Sequence, residues 1–299
     1  MRLAAAALAA ALALGAGTAR AELYYLIVTG LGGEPGYAEE FADNTAAMVA
    51  AAERTLGETT QIRVLSGDGA TLEALRAALD ELSQRTEASD RLAVFLVGHG
   101  SHDGVDYKFN LTGPDVTGSE LAERLDAMPA RSQLVVNASS ASGAVLEQWA
   151  ADGRVVITAT RNGRERNATT FAAHWAAALS AGDADINKNG SISVQEAFDY
   201  ASRLVAESYE AEGTLATEHP EIRGDATSAF EISRLTARAD LTPEIEALDR
   251  ELADLEEQVA SLRLRRDELD PDAYQTQMLD LQVEIALLQE QIDEAMAEQ

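Results

Sequence analysis

The chain has 299 residues, no cysteine and a formal net charge of −28. The missing cysteine excludes a disulfide framework, a thiolate zinc site and a cysteine nucleophile, and the excess of acid excludes nucleic acid and anionic membrane surfaces as partners. Arg2, the Ala- and Leu-rich run over residues 3–16 and the small-x-small site Ala19-Arg20-Ala21 predict a secretory signal peptide over residues 1–21. The mature protein then starts near Glu22 and is periplasmic or secreted. No later run approaches the ~18 consecutive apolar residues of a membrane span.

From Glu22 to about residue 240 the pattern predicts an α/β domain. LYYLIVTG, residues 23–30, reads as a first strand ending in glycines, followed by an Ala-rich helix from about Glu39 to Leu56. QIRVLSG is a second strand, and Thr71 caps the helix TLEALRAALDELSQRT. RLAVFLVG is the third strand, SELAERLDAM a short helix, SQLVVN the fourth strand and GRVVITAT the fifth. Such alternation predicts a mostly parallel sheet flanked by helices on both faces, with its site beyond the carboxyl ends of the strands. GHGSHDG follows strand three and NASSASG follows strand four, so the two are expected side by side. Residues 206–240 read as mixed and loop-rich.

The segment Asp185–Glu196, DINKNGSISVQE, lies between two helical stretches, TFAAHWAAALSA and VQEAFDYASRLVAESY. It satisfies the EF-hand rule at every position. Asp185, Asn187 and Asn189 fall at positions 1, 3 and 5, and Gly190 at the sharp turn. Ser191 offers its carbonyl at position 7, Ser193 stands at position 9, and Glu196 supplies two oxygens at position 12. The expectation is one weak Ca2+ site, because only two ligands are charged; the plainer alternative is a polar turn between helices.

From residue 241 the composition changes. Ile245, Leu248, Leu252, Leu255, Val259 and Leu262 recur at 3–4 spacing, DELDPDAY breaks the helix at Pro271, and Met278, Leu281, Ile285, Leu288 and Ile292 resume it. Residues 241–299 therefore read as an antiparallel, coiled-coil-like helical hairpin. It either docks on the domain or forms a homo-oligomer.

A strand ending in His-Gly, then a strand ending in Ala-Cys-x-Ser-Gly, characterises the caspase and legumain type of cysteine peptidase. Gly98–Ser101 and Ala138–Gly143 stand in this order on the matching strand ends, so residues 23–205 resemble that family, and most closely its bacterial legumain-like members. The resemblance implies a caspase-like fold. It implies His99 as catalytic histidine, the Gly100 amide as part of an oxyanion hole, and Ser140 in the place of the nucleophilic cysteine, with a one-residue slip to Ser139 left open. A serine hydroxyl needs a base and a group to orient that base, and Asp103 and Asp106 are the available acids. His102 reads as a turn residue, and His174 and His219 as structural or surface residues. Arg161, Arg164 and Arg166 either bind a substrate carboxylate or pair with local acids. Three readings follow: an inactive or weakly active calcium-braced homologue that binds a peptide or protein ligand, an active endopeptidase using Ser140 with His99, and a structural protein assembled by the hairpin.

Overall fold

The computed structural model describes residues 21–57, 59–224, 230–237, 242–264, 266 and 269–297, with part of the side chains in the two C-terminal helices. The predicted signal peptide lies outside these residues, apart from Ala21. In chain order the elements are β1 (Leu23–Thr29), α1 (Pro35–Leu56), β2 (Ile62–Leu65), α2 (Leu72–Arg85), β3 (Arg91–Val97), β4 (Gly100–His102), β5 (Tyr107–Phe109), β6 (Val116–Thr117), α3 (Gly118–Asp126), β7 (Ser132–Asn137), β8 (Arg154–Thr158), α4 (Phe171–Ala178), β9 (Ser191–Ser193), α5 (Val194–Glu212), β10 (Glu221–Arg223), β11 (Glu231–Arg234), α6 (Pro243–Leu264) and α7 (Pro271–Ala297).

Six strands form the main sheet in the order β10-β8-β7-β3-β1-β2. All its pairings are parallel except that of β10 with β8. The central strands are apolar without alternation because both of their faces are covered. Tyr25, Ile27, Phe95, Val136 and Ile157 point into a core built with α1, α4 and α5. Leu26, Val28, Leu92, Val94, Val135 and Val156 point into the opposite core, against α2 and α3. Side-chain caps fix the helix starts on the second face: Thr71 Oγ1 accepts from Ala74 N at 3.1 Å, and Thr117 Oγ1 from Glu120 N at 3.1 Å.

The stretch read as loop-rich contains more order than expected. α5 continues to Glu212, where Gly213 ends it in the left-handed region with φ 65°, and β10 and β11 follow. β11 pairs antiparallel with β9. Beyond β3 a small antiparallel sheet, β4-β5-β6, also departs from the expected loop. Pro271 marks the first turn of α7 after the break, a position that needs no backbone donor. α6 and α7 close their own apolar seam through Ile245, Leu252, Leu255, Leu288 and Ile292.

Candidate active site

Strands β3 and β7 are sheet neighbours, with Leu96 opposite Asn137, and the ladder continues through the bond from Ala138 N to Leu96 O at 2.9 Å. The residues that follow each strand therefore emerge at one edge. Gly100 lies directly against the serine turn: a Cβ there would stand 2.5 Å from Ser140 O and 2.6 Å from Ser139 Oγ. Only glycine permits this approach. The His99 carbonyl accepts from Asn110 N at 3.0 Å. Hydrogen-bonded and non-hydrogen-bonded pairs alternate in an antiparallel ladder, so the pair Gly100–Phe109 is of the second kind. The Gly100 N–H thus points away from β5 and is not used in that ladder.

The two adjacent serines have separate fates. Ser139 is 0% exposed. Its hydroxyl donates to Asn137 Oδ1 at 2.8 Å and lies 2.6 Å from the Tyr107 phenol, whose pKa burial raises well above the ordinary range, so that the proton stays on. Asn137 Nδ2 is buried without a partner among the described residues. Ser139 is thus an interior group whose hydroxyl is already engaged. Ser140 is 3% exposed, and no hydrogen bond among the described residues engages its hydroxyl.

The turn itself is held from the far side. Ala141, next after Ser140, sits in the left-handed region with φ 57°, an uncommon conformation for a residue with a side chain. Its N–H donates to Glu165 O at 2.7 Å. Gly143 N donates to Thr160 Oγ1 at 2.9 Å, and a Cβ on Gly143 would meet the backbone of residues 160–162 at 2.3 Å. Thr169 Oγ1 donates to Ala138 O at 2.7 Å. With Thr160 N donating to Ser142 Oγ at 3.2 Å, the loop after β8 clamps the loop after β7 at Ala138, Ala141, Ser142 and Gly143.

His99 is positioned by rings rather than by an acid. Its imidazole packs edge-to-face with Tyr37 and Phe41 on α1, with centroids 4.8 and 5.0 Å away. Asp103 does not orient it. Its carboxylate accepts from Val105 N and Asp106 N at 2.9 Å each, and these bonds hold its pKa below the usual range. The Asp106 side chain makes no hydrogen bond to the histidine either. Among the described residues neither of the two acids available in sequence, Asp103 and Asp106, hydrogen-bonds to the His99 ring. His102 packs on Gly163, where a Cβ would stand 2.5 Å from Nδ1.

The arginines divide. Arg161 pairs with Glu165 at 3.4 Å, and Arg166 donates to His102 O at 2.9 Å. The exposed Arg164 guanidinium has no partner among the described residues. Sequence reading did not reach Glu165 and Glu218. Glu165 Oε1 lies 2.8 Å from His219 Nδ1. Glu218 is buried and accepts from Thr170 N, Thr170 Oγ1 and Phe171 N at 2.8, 2.7 and 3.2 Å, capping α4; burial raises its pKa. His174, half-buried on α4, has its pKa lowered by desolvation. The only sequence signal for Glu218 is a charged residue beside a histidine and a proline, too common to point to a cap.

The 185–196 loop wraps around a set of oxygens. Buried Asp185 accepts from Asn189 N at 3.1 Å and Gly190 N at 2.9 Å. Asn187 Oδ1 accepts from Asn189 N at 3.0 Å, and Asn189 Oδ1 from Ser191 N at 2.9 Å. Glu196 reaches back to Ile186 N at 3.0 Å and, through its second oxygen, to Ser193 N at 2.9 Å in a capping box. Gly190 takes the sharp turn with φ 77°. Among the described residues no group of three or more His, Cys, Asp or Glu side chains could hold a metal; two of this loop's side-chain oxygens are amides.

A parallel α/β sheet with a histidine beyond one strand and a small-residue turn beyond its neighbour defines a caspase- and legumain-like peptidase domain. The profile of the Peptidase C13 family matches residues 42–222, more than half of the chain, and the chain belongs to that family. A search of curated proteins finds no match. Similar solved structures include a Geobacter sulfurreducens protein, 15% identical, TM-score 0.47, with 72% of this chain and 99% of that one covered. They also include the Drosophila initiator caspase Dronc, 9% identical, TM-score 0.42, with 70% of this chain and 81% of that one covered.

Proposed function

We propose that this chain is an exported member of its peptidase family that binds an extended peptide across the carboxyl ends of β3 and β7 and cleaves it weakly or not at all. The observation that carries the reading is the isolation of Ser140. Its hydroxyl has no hydrogen-bond partner among the described residues, and His99 is steadied by Tyr37 and Phe41, with no carboxylate among the described residues hydrogen-bonded to its ring. A thiolate is nucleophilic in such surroundings; a serine hydroxyl is not, because it needs a base that removes its proton as attack proceeds. The Gly100 N–H and the unpaired Arg164 remain available to a peptide carbonyl and a peptide carboxylate. Export rests on the leader pattern of residues 1–21.

The test is a peptide cleavage assay with asparaginyl, aspartyl and arginyl substrates. Wild type is expected to be near silent. Ser140→Cys should gain at least about 100-fold, since losing one member of a catalytic triad elsewhere costs ~10⁴–10⁶. That gain should vanish when His99→Ala is added. Robust wild-type cleavage lost in both Ser140→Ala and His99→Ala would overturn the proposal in favour of a serine endopeptidase.

A second reading concerns the loop over residues 185–196. Its donors are all oxygen, the chemistry of a hard cation, with Asp185, Asn187, Asn189, the Ser191 carbonyl and Glu196 as ligands of one Ca2+. Two carboxylates make the site weak, in the range of extracellular modules. The ion would brace the joint between α4 and α5. The closure of the loop by both Glu196 oxygens supports this reading.

A further inference from the structure

β1 begins with an arrangement the peptidase site does not use. The Glu22 carbonyl enters the β ladder in the ordinary way, accepting from Arg91 N at 2.8 Å. Its N–H instead donates to a side chain, Asp90 Oδ1, at 2.9 Å. Asp90 is 6% exposed. Its other oxygen accepts from Glu87 N at 2.8 Å, and no cation among the described residues pairs with it. A buried carboxylate served only by neutral amides lacks the counter-charge that normally offsets its desolvation. The residue opposite is held in place: Glu22 Oε2 accepts from the Tyr24 phenol at 2.8 Å and from Gln61 Nε2 at 3.2 Å.

The missing charge would appear if the chain were cut one bond upstream. We infer that Asp90 is the docking carboxylate for a processed amino terminus, created by hydrolysis of the Ala21–Glu22 bond. A signal peptidase adds water across that bond: Ala21 leaves as a carboxylate, and the Glu22 nitrogen becomes a primary amine that takes up a proton at neutral pH. The atom already 2.9 Å from Asp90 Oδ1 thereby turns from a neutral amide into an ammonium, with no movement of β1. A charge-assisted bond replaces a neutral one. The inference rests on the export reading, and it adds that processing stabilises the domain as well as releasing it.

Two measurements test it separately. N-terminal sequencing and intact mass of the exported protein should show Glu22 first; a different terminus overturns the inference. Independently of export, a chain beginning at Glu22 is prepared with a free amine and with an acetylated one, which restores a neutral N–H at the same atom. The free form should melt higher by roughly 2–4 °C at pH 6–7. Pairing raises the amine's pKa in the folded state. The added stability is therefore full below the unfolded value, about 8, and is lost as pH rises through the higher folded value. The difference should also disappear in Asp90→Asn. Equal melting of the two forms at pH 6–7, or a difference that persists unchanged to high pH or in Asp90→Asn, overturns the pairing even if the terminus is Glu22.

Discussion

Neighbouring residues of one type meet different physics in this site. Ser139 and Ser140 are identical letters, yet one is tied to Tyr107 and Asn137 and the other has no such partner. The motif spacing placed the serine turn beside Gly100, where Ser140 O and Ser139 Oγ both lie, because strand pairing fixes which residues emerge together. It could not show that Asp103 folds back on its own turn, since that depends on how the loop closes. Glu218 is a similar case, with a measurable consequence. Burial raises its pKa above the ordinary 4.5. A carboxyl whose folded pKa is raised contributes stability that is full below the unfolded value and is lost as pH rises through the folded one. The melting temperature of wild type relative to Glu218→Gln should therefore fall as pH rises from about 4.5, and level off once the folded pKa is passed. A difference that stays flat or grows across that window would show that Glu218 is not desolvated. Thermal melts in matched buffers decide it.

Elements were legible in proportion to their length. β1, β3 and β7 are runs of six or seven residues, apolar on both faces, and α2 carries its capping Thr71 in the sequence. β4, β5, β6 and β9 have two or three residues each, too few to show a period. β11 was hidden for another reason: its order comes from partners far along the chain. Arg54 on α1 donates to Leu179 O at 2.7 Å and Ser233 Oγ at 3.1 Å, and the Tyr25 phenol donates to Ile232 O at 2.7 Å. Through β11 the loop over residues 185–196 gains an antiparallel strand partner: Ile192 faces Ser233. A single loop so supported has no partner loop to cooperate with, and should act as a brace. If calcium binds with a Kd of ~10⁻⁴–10⁻³ M, 10 mM calcium should raise the melting temperature by roughly 3–11 °C. Glu196→Gln should remove this increment; its calcium-free melting temperature should fall as well, because the amide can accept at only one of the two places where the carboxylate does. An unchanged melting temperature together with no calorimetric heat of binding would leave the loop as a polar turn.

At the scale of the whole molecule, three apolar clusters are separate in composition. Two lie on opposite faces of the main sheet and draw their buried residues from Leu23 to Ile232; the third consists only of hairpin residues. The heptad pattern predicted the hairpin itself, but periodicity states only that a face is apolar, and cannot say what covers it. Here α6 and α7 cover each other. The sheet's own sequence accounts for its two faces: α1, α4 and α5 fill one and α2 and α3 the other, so neither needs the C-terminal helices. Cooperative units follow shared cores. Removing residues 242–299 should therefore leave the α/β body folded, with its melting temperature within about 2 °C of the full chain, since losing even 1 kcal/mol shifts a domain of this size by roughly 2–4 °C. The helical circular dichroism should fall by the share the hairpin contributes. A larger drop in the melting temperature would mean that the hairpin stabilises the body through contacts outside these three cores. It would then be a structural part of the peptidase domain rather than an appendage to it.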